Sequence, residues 1–164
     1  MSHTITAIIL KGKFNIDKAK SFDLIPVKLY DDLTLFHIDH YYSGYWNYKL
    51  KINGFLKTYN INSIIFPKEL SIAEILKNIS DNKENVLFAI IQTDYFGGQG
   101  EQYANVFKYN INVAPEIKKI NEALNILGIK RSNYKDEFET IGLDKIRSNP
   151  EYLDKYFEII EEYE

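Results

Sequence analysis

The chain of 164 residues has no cysteine. That excludes disulfides, thiolate metal sites and a cysteine nucleophile, and it is compatible with a reducing compartment. Proline is scarce at four residues and glycine at eight. No repeat, low-complexity tract or linker interrupts the chain. No apolar run approaches the roughly 20 residues needed to span a bilayer, so no membrane association is expected. The opening "MSHTITAIILKG" has neither a basic n-region nor a small-residue cleavage site, so no secretory signal is expected and the expected location is cytoplasmic. Excess positive charge is missing as well. A net charge of −3 gives no general attraction to nucleic acid.

What is present is a folding composition. Hydrophobic residues make up 45% and aromatics 15%, with 13 Tyr and 10 Phe. This length fits one domain with a core of its own. Charge is uneven along it. From Tyr134 onward there are 10 acids against 4 bases, or −6; the first 133 residues carry 13 acids and 16 bases, or +3. The acidic stretch reads as a solvated helical face or as a surface that docks on a basic partner.

Periodicity predicts the elements. "HTITAIIL" from His3 reads as a strand. "FDLIPVKLY" and "LTLFHID" read as a hairpin turning at Tyr30-Asp31-Asp32, with Pro26 assigning the first strand to an edge or a bulge. In "HYYSGYWNYKLKINGFLKTY", Tyr42, Tyr45, Trp46 and Leu50 share a helical face, which favours a helix ended by Asn53-Gly54 over a hairpin at that dipeptide. "LSIAEILKNI" predicts an amphipathic helix with Ile72, Ile75, Leu76 and Ile79 inward and a Ser71–Glu74 capping box. "VLFAIIQTDYF" from Val86 reads as a central strand, and "QYANVFKYNINV" as its antiparallel partner across a 96–101 connection. In "PEIKKINEALNILG", Pro115 suits a first helical turn and Gly128 suits C′. "KDEFETIGLDKI" predicts a short helix broken at Gly142. Asn149 and Pro150 suit the N-cap and N1 of a last helix with Leu153, Tyr156, Phe157 and Ile160 inward. Hairpins with late helices predict an α+β fold: an antiparallel sheet with a glycine-rich hairpin, packed by helices concentrated in the C-terminal half.

The densest functional signal is "QTDYFGGQGEQYANVF", residues 92–107. Gly97, Gly98 and Gly100 lie beside Asp94, Tyr95, Phe96, Gln99, Glu101 and Gln102. Phosphate binding needs a glycine loop that opens a helix, and here a strand follows without a Lys-Ser/Thr pair. Gly97-Gly98-Gln99 resembles the peptidyl-tRNA hydrolysis tripeptide of release factors, but the basic flanks for RNA are missing. The remaining readings are a bulged hairpin and a partner-binding loop. On a strand, His37 and Asp39 would share a face close to Asp31 and Asp32, but His40 would point away and His3 is the one other histidine, so no metal site is expected. Asp136–Glu137 reads as solvated charge. No nucleophile elbow is present, no catalytic residue is assigned and no cofactor is expected.

"TDYFGGQGEQ", followed by "INEALNILGIKRSNYKDEFETIGL", resembles a family of small bacterial proteins with an F-G-G-x-G-x-Q hairpin, across residues 86–145. Some of its members resemble immunity proteins of toxin systems. The resemblance implies a non-catalytic module that binds and neutralises a cognate toxin. The candidate contact residues are Asp94, Tyr95, Phe96, Gln99, Glu101 and Gln102 in the loop, and Glu158, Glu161 and Glu162 in the acidic segment. The alternative is an enzyme or small-ligand protein with a cleft between the 41–48 aromatics and the 94–102 loop. Oligomeric state stays open.

Overall fold

The β-branched run at the start forms the strand β1 (Ser2–Lys11) in a computed structural model that describes residues 2–163, with side chains through residue 160. The remaining strands are β2 (Val27–Lys28), β3 (Leu33–His37), β4 (Leu87–Phe96), β5 (Gln99–Lys108) and β6 (Ile111–Asn112). They build one six-stranded sheet in the order β2-β3-β1-β4-β5-β6. Every strand pairing is antiparallel. As Pro26 requires, β2 is a two-residue edge strand paired with Leu35 and Thr34.

The helices are α1 (Ile16–Ser21), α2 (His40–Lys49), α3 (Ser71–Ile79), α4 (Ile120–Ile126), α5 (Glu137–Thr140) and α6 (Asp154–Tyr163). Two 3₁₀ turns, Leu143–Lys145 and Glu151–Leu153, add to the C-terminal half, where most helical segments lie. The fold is α+β as the pattern predicts. No described helix is long and apolar enough to cross a membrane.

Side chains alternate across each central strand and so feed two cores. Ile8, Leu10, Phe36, Phe88, Ile90 and Phe107 point to one face, together with Ile72, Ile75, Leu76 and Ile79 of α3 and Leu153 and Tyr156. Ile5, Ala7, Ile9, Leu35, Ala89, Ile91 and Val106 point to the other, under Ile120, Ala123 and Leu124 of α4 and the Ile141–Leu143 segment. We call these the α3 face and the α4 face. β4 is buried on both, which is why its sequence is a near-continuous apolar run.

Local chemistry corrects several expectations. Ser71 is the first residue of α3 rather than its cap: its hydroxyl donates to Ser43 O at 2.8 Å, and its N–H donates to Asn47 Oδ1 at 2.8 Å. Glu74 accepts from the Tyr109 hydroxyl, so the capping box does not form. α2 ends at Lys49, with Lys51 at φ 56°, before Asn53-Gly54 is reached. α4 starts at Ile120, later than Pro115, and ends on a Schellman motif: Gly128 has φ 96° and Ile129 N–H donates to Leu124 O at 2.9 Å. Asn149 does not cap the last helix. Its Oδ1 accepts from Thr6 N–H at 3.1 Å and lies 3.2 Å from His37 Nδ1. Leu153 and Tyr156 are buried, whereas Phe157 is exposed and Ile160 half-buried. Glu137 is buried and Asp136 caps α5 through Glu139 N–H at 2.9 Å, so this pair is structural rather than solvated.

Candidate functional site

The glycine cluster is neither a loose loop nor a phosphate cradle. β4 and β5 stay paired as far as Phe96↔Gln99, so only Gly97 and Gly98 connect them. Their φ values, 61° and 80°, are both positive, as a type I′ turn demands. The tight turn replaces the expected 96–101 connection, and the hairpin runs as two full strands to its tip. Gly100 answers a different demand. A Cβ there would lie 1.9 Å from Asp94 O and 2.7 Å from Tyr95 Cα.

Pairing divides the candidate residues between the two faces. On the α3 face, Asp94 stands directly opposite Glu101, and Phe96 opposite Gln99. On the α4 face, Tyr95 stands opposite Gly100, and Gln102 opposite Thr93. Gln102 is committed structurally: Nε2 donates to the Tyr95 hydroxyl at 3.0 Å, and Oε1 accepts from Ile120 N–H at 2.8 Å. It ties the hairpin to the start of α4.

Two clefts flank the hairpin. The one on the α3 face, about 570 Å³, is lined by Asp39, His40, Tyr41, Ile64, Asp94 and Glu101 among others. This is the expected gap between the aromatic run and the hairpin, but only Tyr41 of that run reaches it. Tyr42 is buried in the core, and Tyr45 and Trp46 pack against it. Asp39 is the N-cap of α2, accepting from Tyr42 N–H at 2.8 Å. Burial raises the Asp39 carboxyl above its ordinary range, against the lowering effect of that hydrogen bond. Glu101 Oε2 accepts from the Tyr103 hydroxyl at 2.6 Å, and this bond raises the Tyr103 phenol. Among the described residues no lysine or arginine lines this cleft. β3 ends at His37, so His37 and Asp39 do not share a strand face. Burial lowers the His37 imidazole, with Asn149 acting against it.

The cleft on the α4 face, about 590 Å³, is lined by His3, Thr93, Tyr95, Gln102, Phe138 and Asp144 among others. His3 is pinned there, with Nδ1 2.7 Å from Thr93 Oγ1 and Nε2 2.9 Å from Leu143 O. Thr93 Oγ1 already accepts from Ile5 N–H at 3.0 Å. The Leu143 carbonyl can only accept, so Nε2 carries the proton, and in the neutral ring Nδ1 accepts from the Thr93 hydroxyl.

No family model, curated protein sequence or solved structure matches the chain. The exposed part of the site is an apolar and acidic surface at one end of the sheet. Phe96 is 80% exposed at the hairpin tip. Ile64 is 97% exposed and Ile65 49%, and both line the α3-face cleft with Asp94 and Glu101. Neither isoleucine stands out in the sequence, because in the apolar run Ile64-Ile65-Phe66 before Pro67 no periodicity separates the buried Phe66 from the two exposed residues. Glu158 is exposed on α6, next to Phe157, whose ring packs edge-on against Tyr41 with centroids 5.0 Å apart. The side chains of Glu161 and Glu162 lie outside the described residues.

Proposed function

We propose that this chain is a non-catalytic protein-binding module, an immunity protein that neutralises a cognate bacterial toxin by docking the hairpin end of its sheet on it. One observation carries the reading. Phe96, Ile64 and Ile65 are exposed around a carboxylate pair, Asp94 and Glu101, that faces itself across two strands. Like charges placed opposite each other weaken a sheet, and exposed large apolar groups gain nothing for the fold. Both become favourable on a partner that is basic with an apolar centre. The toxin itself comes from the F-G-G-x-G-x-Q resemblance.

The test uses the tagged chain and an F96S/I64S variant side by side as bait in host lysate, with mass spectrometry of what each retains. The expected partner is held by the native chain, lost by the variant, and toxic to cells that express it without the native chain. Identical retention by the two baits, or a partner whose expression is harmless, overturns the reading. The α4-face cleft favours a second reading, a small-ligand protein, since its volume lies in the range of ligand sites. A metabolite panel that raises the melting temperature of the native chain, but not of a Tyr95→Ala/Phe138→Ala variant, would support it.

A further inference from the structure

In an antiparallel ladder each residue turns its N–H and C=O to the same side, and successive residues alternate. The carbonyl of Val106 accepts from Val113 N–H at 3.0 Å, so even-numbered residues of β5 face away from β4. Tyr109 N–H donates to Val86 O at 2.7 Å, in agreement. The outward positions are thus Lys108, Val106, Ala104, Gln102 and Gly100. β6 pairs only with Phe107 and Lys108. The Ala104 carbonyl accepts from Asn105 Nδ2 at 2.5 Å. Among the described residues no hydrogen bond reaches the backbone N–H or C=O of Gly100 or Gln102 from the outer side. The Gln102 side chain cannot fold back to them, since both its ends are used. A cleft of about 410 Å³ runs along this edge, lined also by Asn60, Asn62, Lys118 and Lys119.

Charge along this edge is split: Asp94 and Glu101 share the α3 face, while Lys118 and Lys119, just before α4, line the same cleft. On the α3 face Thr4 pairs with Asp94, and Asp94 with Glu101. The row ends there on two adjacent carboxylates, with the next cross-strand position empty. A Lys or Arg at that position would turn a repulsive row into an attractive one. A second copy of this chain fits poorly, because self-pairing centred on Glu101 sets two more carboxylates beside the first two.

From this edge we propose that Gly100–Tyr103 of β5 receives, as a seventh strand, an extended segment of the partner protein that carries Lys or Arg opposite Glu101. Main-chain bonds to Gly100 and Gln102 hold the segment, and a cation opposite Glu101 sets its register. The proposal deepens the protein-binding reading and rests on it, but its test needs no identified partner. The ¹⁵N-labelled full chain is titrated with three peptides: acetyl-Thr-Lys-Val-Lys-Thr-amide, its Glu-for-Lys counterpart, and the Lys peptide methylated on alternate backbone nitrogens. The Lys peptide is expected to slow hydrogen exchange of the Gly100 and Gln102 amides by about fivefold or more. The methylated and Glu peptides are expected to leave them unchanged, and a Glu101→Lys variant to reverse the preference between Lys and Glu. Unchanged exchange at both amides with the Lys peptide overturns the strand-addition proposal, as does equal protection by the methylated peptide. Protection here without any toxic partner in the bait experiment keeps the strand site and removes the immunity reading. A toxic partner that leaves these amides exchanging freely does the reverse.

Discussion

Replacing Gly100 with alanine is the sharpest test of the hairpin geometry. The new methyl would sit 1.9 Å from Asp94 O, 2.8 Å from Asp94 C and 2.7 Å from Tyr95 Cα. These are backbone atoms of the paired strand, so no side chain can swing aside. The φ of 159° is close to extended, and the demand for glycine comes from lack of space. Relief requires the two strands to part locally. Overpacking of this kind costs about 1–3 kcal/mol, and each ladder hydrogen bond lost adds about 1 kcal/mol. Together these give roughly 3 kcal/mol. Gly97 and Gly98 have positive φ but nothing within 4 Å of a built Cβ. Alanine there meets only the left-handed backbone penalty, about 1–2 kcal/mol. Urea unfolding should therefore rank Gly100→Ala as the most damaging of the three. If the strands part without global unfolding, the same variant should lose amide protection across 94–102 while the rest of the sheet keeps it. A Gly100→Ala protein within 0.5 kcal/mol of the native one (about the scatter of a neutral surface change), with hairpin protection intact, would refute the pairing described.

Other outcomes follow from single contacts. His37 is held below its ordinary pKa by burial, so the unfolded chain binds its proton first. Stability should be constant above about pH 6.5 and fall as pH drops below it, and a His37→Asn variant followed by urea midpoints at pH 7.5 and 5.5 should lose that slope. Burial alone would raise the Asp23 carboxyl, but hydrogen bonds from Lys155 and Tyr156 hold it below its ordinary value. Its contribution should be present above about pH 4 and fade as pH falls further; Tyr156→Phe should cost about 1 kcal/mol at pH 7 and flatten part of that acid slope. Asp94→Asn removes the like charge facing Glu101, and calorimetry should show a gain of a few tenths of a kcal/mol while the association rate with a basic partner falls. Leu76→Ala opens a fully buried position of α3 and should cost about 2–5 kcal/mol in chemical denaturation.

Much of the sheet was legible because its strands carry period-two or continuous apolar patterns that few other structures satisfy. The inward stripe of α3 was legible from its helical period, and the Gly128 stop from the positive φ that a C′ position demands. Errors concentrated where a side chain had a choice of partners. Ser71, Asn149 and Glu74 have the right identity and spacing for caps, yet each found a distant partner in Ser43, Thr6 and Tyr109. No local rule ranks a cap against a bond to a residue far along the chain. Asn105 left a usable signal: a polar residue inside "YANVF" must be satisfied if the strand is buried. It is fully buried, and its amide exchanges two hydrogen bonds with the Tyr59 backbone at 2.8 and 2.9 Å. The division of the hairpin residues between two faces was implicit in strand alternation. It became readable only once the turn was known to be two residues long.

The central position of β1 has a kinetic consequence. Ile5 meets Thr93 across 88 residues of chain, His3 meets Leu143 across 140, and Thr6 meets Asn149 across 143. Before β4 arrives, β1 can pair only with β3, and its other edge, rich in isoleucine, lies open. Closing such long loops must precede the contacts that reward it, which predicts slow folding. An Asn149→Ala change would then act mainly on the unfolding rate if its bonds to Thr6 and His37 form last, leaving the folding arm of a chevron plot almost unmoved.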